Sequence, residues 1–170
     1  MPQEADNFEY ICRLDEIEVG CKRCFYLPSS HRSVLLIHLR QGEVFCIDQT
    51  CYHHGGPLLE GDIEEIGGKT VITCPWHHYH IAIDTGEGLY MGIQPTTPSA
   101  SHIAVVKSKG VKQRTHSVEI RNYNHIYVAD TSINDTNPIE SDLYAFQPIH
   151  TSPNHPNSSR IALHSHISII

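Results

Sequence analysis

The sequence predicts an all-β protein. Its apolar segments run only four to six residues, Gly- and Asn-centred turns separate them in pairs, and no window of helical length carries a sustained apolar stripe. Short strands at such close spacing imply antiparallel sheets arranged as a sandwich or small barrel.

The elements follow in order. Tyr10–Leu14 alternates in polarity and leads into the turn-rich Asp15–Gly20. Val34–Leu39 is a continuous apolar run between Ser29-Ser30 and Gln41-Gly42, so it reads as a buried strand. Gln41-Gly42-Glu43 then turns the chain into Val44–Ile47. Ile63–Ile66 and Thr70–Thr73 flank Gly67-Gly68, a two-residue hairpin signal. Tyr79–Ile83 is strand-like and stops at Thr85–Gly88. Ser117–Arg121 and Ile126–Ala129 flank a third hairpin at Asn122–His125. Beyond Asp130 the composition shifts: Thr131–Pro138 is polar, Leu143–Phe146 briefly apolar, and Pro148–Arg160 rich in Pro, Ser, Asn and His. That stretch reads as a largely flexible extension, with Leu143–Phe146 the part expected to dock.

At 170 residues the chain has room for one domain. Its net charge of −7 disfavours nucleic acid, which needs a surplus of Lys and Arg. The longest apolar run ends at Leu39 and includes His38, so no membrane span is expected. The first ten residues are acidic, without the apolar core of a secretory signal. The expectation is a soluble, cytoplasmic protein whose six Cys stay reduced. Cys21-Lys22-Arg23-Cys24 could be half a zinc site or a redox pair, but no second such motif answers it. Incidental thiols are expected there.

Chemistry concentrates in two motifs, Cys51-Tyr52-His53 and Cys74-Pro75-Trp76-His77. Two Cys and two His in this order are the ligand set of a two-iron, two-sulfur cluster with mixed ligation. Formal counting explains the mixture. Two ferric ions, two sulfides and two thiolates sum to zero when both imidazoles are neutral. With four thiolates the oxidised centre would be two units negative and a poorer electron acceptor. Each loop contributes one thiolate and one imidazole, so each iron receives one kind of ligand from both loops. Gly55-Gly56 lets the backbone turn closely, and Pro57 and Pro75 stiffen the loops. His54, His78 and His80 are expected as surface residues beside the site. A zinc site of Cys₂His₂ type is the competing reading, although zinc modules usually place both Cys in one arm and both His in the other.

Cys51–Leu58 together with Cys74–His77 resembles the Rieske superfamily. Gly61–Glu64, Cys74–Tyr79, Thr85–Tyr90 and Ser108–His116 resemble, more narrowly, the small soluble Rieske-domain proteins of animals, with a weaker echo at Ser141–Tyr144. The resemblance implies a Rieske fold over about residues 9–130, with antiparallel sheets as a base and a two-loop cluster-binding subdomain at about 48–84. It leaves 131–170 as an extension. It also implies a Rieske [2Fe-2S] cofactor held by Cys51, His53, Cys74 and His77.

Departures refine the picture. Respiratory-chain Rieske proteins carry a disulfide between the loops where this chain has Gly56 and Trp76. They also place Ser and Tyr, which donate to the cluster sulfurs, where this chain has Tyr79 and Ile81. Fewer donors imply a reduction potential toward the low end of the Rieske range of about −150 to +300 mV. A one-electron carrier follows, a ferredoxin rather than an enzyme, served by a flavoprotein reductase and an unidentified acceptor. A redox or iron-sulfur sensor, or a subunit of a larger oxidoreductase complex, is the alternative. A self-contained oxygenase would need a second, iron-binding domain, and about forty residues after Asp130 are too few. Lys107, Lys109, Lys112 and Arg114 form a basic run, expected as a solvated loop, with a docking site for an acidic redox partner as the alternative.

Overall fold

The computed structural model describes residues 7–96 and 102–148. Eleven strands form two antiparallel sheets. In the first sheet lie β1 (Phe8–Arg13), β2 (Lys22–Tyr26), β3 (Ser33–His38), β4 (Val44–Asp48), β10 (Thr115–Arg121) and β11 (His125–Ala129), in the order β1-β11-β10-β4-β3-β2. The second holds β5 (Asp62–Ile66), β6 (Lys69–Thr73), β7 (His80–Ala82), β8 (Glu87–Pro95) and β9 (His102–Val111) in simple sequence order. The predicted all-β class, built of antiparallel sheets, is observed.

Strand β3 explains why its sequence is apolar throughout. Leu35 and Ile37 face one core, which they share with Ile47, Leu58, Ile72 and Ile81 from the cluster-loop side. Val34 and Leu36 face a second core with Phe25, Cys46, Ile126 and Val128. Period-two alternation thus puts apolar side chains on both faces of one strand. The same alternation separates Cys21 and Cys24, which pack against different cores. Burial pushes the Cys24 thiol up to about 12, so it is inert packing. The expectation of incidental thiols at this pair agrees with that placement.

Turns follow their residues. Ile66 pairs with Lys69, and Gly67 and Gly68 between them take φ of +58° and +76°, the left-handed pair a two-residue hairpin needs. Strands β2, β8 and β9 have no counterpart in the sequence reading. β2 carries Lys22 and Arg23 and lies at the sheet edge, where charge is tolerated and apolar alternation is weak. The β8–β9 hairpin is long and largely exposed, so burial imposes little pattern on it.

Within Leu143–Phe146, the part expected to dock, Ala145 is buried and the Tyr144 ring lies against Gly55, whereas Leu143 and Phe146 are 77% and 67% exposed. Polar groups hold the segment as well. Arg114 donates to Asp142 by both Nε and Nη2 at 2.7 Å, and Ser141 Oγ donates to Asp48 Oδ2 at 2.5 Å. An apolar search could not find such a contact. The remainder of the extension, 149–170, lies outside the described residues.

Candidate metal centre

Two loops carry the motif residues. One follows β4 and contains Cys51–Gly56; the other joins β6 to β7 and contains Cys74–Tyr79. They have one conformation. Cys51 N–H donates to Gly56 O at 2.8 Å, and Gly55 N–H donates back to Cys51 O at 2.8 Å. Correspondingly, Cys74 N–H donates to Tyr79 O and His78 N–H to Cys74 O, each at 2.9 Å. The fourth residue after each Cys is left-handed: Gly55 at φ +70° and His78 at φ +55°. Histidine rarely adopts that conformation, so strain at His78 marks a turn the surrounding structure enforces.

In each loop the N–H groups two and three residues past the Cys point at its sulfur, from His53 and His54 onto Cys51 and from Trp76 and His77 onto Cys74. The two thiols are close enough to share a hydrogen bond. That bond holds the Cys74 thiol well below its ordinary value, with the Trp76 and His77 N–H groups adding to it against burial. The same contact pushes Cys51 up, and burial adds to the shift. Both Cys are 1% exposed, walled in by Leu58, Ile72 and Ile81.

The imidazoles pair separately. The His53 and His77 rings lie edge to face with centroids 4.9 Å apart. His53 Nδ1 is buried and has no hydrogen-bond partner among the described residues. Burial of that ring, with His54, His77 and Lys109 nearby, lowers its pKa, a shift in favour of the neutral form that ligates metals. Tyr79 stacks on His53 at 4.1 Å and 18°, and Lys109 Nζ lies 4.4 Å from the Tyr79 ring centre. His54 and His78 are exposed, as expected; His80 is half-buried, with Nδ1 2.9 Å from Thr73 Oγ1.

The four predicted ligands therefore come together as a thiol pair and an imidazole pair. Among the described residues, no three His, Cys, Asp or Glu converge on a single point suited to one metal ion. A thiol pair and an imidazole pair are the donor set that a two-iron cluster with one ligand type per iron would need.

A profile of soluble Rieske-type ferredoxins matches residues 10–133. The chain belongs to the soluble Rieske-type ferredoxin family. It is 47% identical to a human Rieske domain-containing protein over 115 residues, 68% of this chain and 70% of the relative. Over 103 residues it is 26% identical to the ferredoxin subunit of a 3-phenylpropionate/cinnamic acid dioxygenase from Photorhabdus laumondii, covering 60% of this chain and 89% of that one. Among solved structures, the ferredoxin of carbazole 1,9a-dioxygenase from Nocardioides aromaticivorans superposes with a TM-score of 0.52 at 18% identity, over 73% of this chain and 98% of that one. This last likeness concerns the fold. No described helix is long and apolar enough to cross a membrane.

Residues outside the two ligand motifs support this ferredoxin site. Gln113 is fully buried; its Nε2 donates to Asp48 O and Thr50 O, and its Oε1 accepts from Tyr52 N–H at 3.0 Å. It therefore ties β4 to the first loop. Asp48 lies three residues before Cys51 and gathers Arg32, His116 and Ser141. Its burial would raise the carboxyl's pKa, but the hydrogen bonds from His116 and Arg32 prevail and lower it.

The basic run is divided by the fold. Arg114 is buried on Asp142 and Asp135, and Lys112 pairs with Glu140. The chain turns inward after Val111, so only Lys107 and Lys109 of the four remain outward on β9. A single four-residue docking run is not what the fold presents.

Proposed function

We propose that this protein is a one-electron carrier whose [2Fe-2S] cluster is held by Cys51, His53, Cys74 and His77. The observation that carries the reading is the sorting of these side chains into a thiol pair and an imidazole pair by two loops of identical turn geometry. When bound, the cluster supplies a site that takes and gives one electron at a time. The protein's part is to hold it. Leu58, Ile72 and Ile81 keep water from the thiol side. The N–H groups of His53, His54, Trp76 and His77 stabilise charge on the sulfurs. Exposed His54, His77 and Trp76 put the imidazole side at the surface, where a partner can approach.

The dioxygenase ferredoxin subunit among the relatives supports a carrier that works between a reductase and an acceptor. We infer a flavoprotein reductase as donor, an oxygenase-like acceptor, and a cytoplasmic setting. The role is transfer, not turnover of a substrate. Replacing Cys74 or His53 by Ala should abolish iron and sulfide binding. Anaerobic mixing of the iron-loaded protein with NADH and a ferredoxin-reducing flavoprotein should bleach its visible absorbance. An iron-loaded protein that such a reductase never reduces would argue against the carrier reading.

A further inference from the structure

The segment after Ile139 is built into the back of the first loop. Ser33 N–H donates to Ala145 O at 2.8 Å, Ser33 Oγ to Gln147 O at 2.7 Å, and Gln49 Nε2 to Pro148 O at 3.0 Å. Nearer the site, Thr50 Oγ1 donates to Tyr144 O at 3.1 Å. Tyr144 then reaches the loop itself, its hydroxyl donating to His53 O at 3.4 Å. Its ring lies against Gly55, where a methyl group would come within 2.9 Å of Cδ1. Gly55 is the left-handed residue that closes the turn, and His53 is two residues before it. The equivalent position of the second loop, His78, is exposed. Only the His53 loop is backed in this way among the described residues.

We propose that Tyr144 is a positioning residue for the first cluster loop: its ring seats the Gly55 turn, its hydroxyl fixes the His53 carbonyl, and together they hold the His53 imidazole in place. This rests on the cluster reading given above. The ring fills space that loop motion would need, and the strap is anchored independently through Ser141 and Asp142. Loss of the side chain should therefore loosen the loop and leave the sheets intact.

The test compares iron release to a chelator, at one temperature below all melting transitions, for wild type, Tyr144→Ala, Tyr144→Phe and Val128→Ala. Val128 is fully buried in the other core, so its truncation lowers global stability without touching the loop. Tyr144→Ala should release iron at least about tenfold faster than wild type, from lost ring packing and one hydrogen bond. Tyr144→Phe keeps the ring and should stay within about threefold of wild type. Val128→Ala should release at the wild-type rate. Should the Ala variant fail to fold, Tyr144→Leu takes its place with the same expectation. Wild-type release from Tyr144→Ala, or equal acceleration by Val128→Ala, overturns the proposal while leaving the cluster reading intact. A wild-type protein that binds no iron overturns both.

Discussion

Gly56 lies directly opposite Cys74. A methyl group on Gly56 would come to 2.7 Å from Cys74 Sγ and 3.3 Å from the Trp76 ring. The two cluster loops therefore meet at a residue without a side chain, where a Cβ would displace a proposed ligand. Trp76 fills the neighbouring space and is 54% exposed.

Gly56→Ala should fold but load iron poorly, because the clash falls on the sulfur and spares the backbone conformation. Iron and sulfide analysis of the purified variant checks this. Wild-type iron content would show that Cys74 can move without loss.

Asp142 anchors the strap on Arg114 and Arg32. Burial would raise its pKa, but hydrogen bonds from Arg114, the Ile139 N–H and Arg32 hold it well below the usual carboxylate range. A depressed carboxyl adds stability that is present above its unfolded value of about 4 and lost as pH falls toward the folded value. Asp142→Asn should cost about 3 kcal/mol at neutral pH, since it leaves buried arginines short of charge. The gap between wild type and variant should narrow between about pH 4 and pH 2 in denaturant melts. A constant gap over that range would contradict the assignment.

Gln113→Leu keeps volume and removes three hydrogen bonds, leaving Tyr52 N–H and the Asp48 and Thr50 carbonyls unpaired. A loss of about 3 kcal/mol is expected by urea unfolding, together with faster iron loss. An unchanged midpoint would mean that water replaces the amide.

The reduction potential should fall toward the low end of the Rieske range of about −150 to +300 mV. Ile81 is fully buried and offers no donor, and the Tyr79 ring is stacked on His53. Redox titration checks this, and a value near the upper end would require donors not identified at these positions.

Legibility in the sequence divided along physical lines. Local rules placed β3, β4, β6, β10 and β11 close to their observed bounds, because burial on one or both faces writes a pattern, and β5, which has no buried residue, was placed by the Gly67-Gly68 turn that follows it. They failed at β2, β8 and β9, where exposure relaxes that pattern. The ligand motifs were legible because their chemistry fixes both residue type and spacing. Gln113 and Tyr144 lie in stretches that resemble the family, but their roles were not legible, since each acts on a loop about 60 or 90 residues away in sequence. The faint signal at Ser141–Tyr144 was present, but apolarity directed attention to Leu143 and Phe146, which face outward.

Electron paramagnetic resonance of the dithionite-reduced protein, with iron, sulfide and zinc analysis of the same sample, tests the central claim most directly. The account predicts two iron and two sulfide per chain, a Rieske-type signal from mixed Cys and His ligation, and no stoichiometric zinc. Zinc without iron, or the signal of an all-Cys cluster, would contradict it.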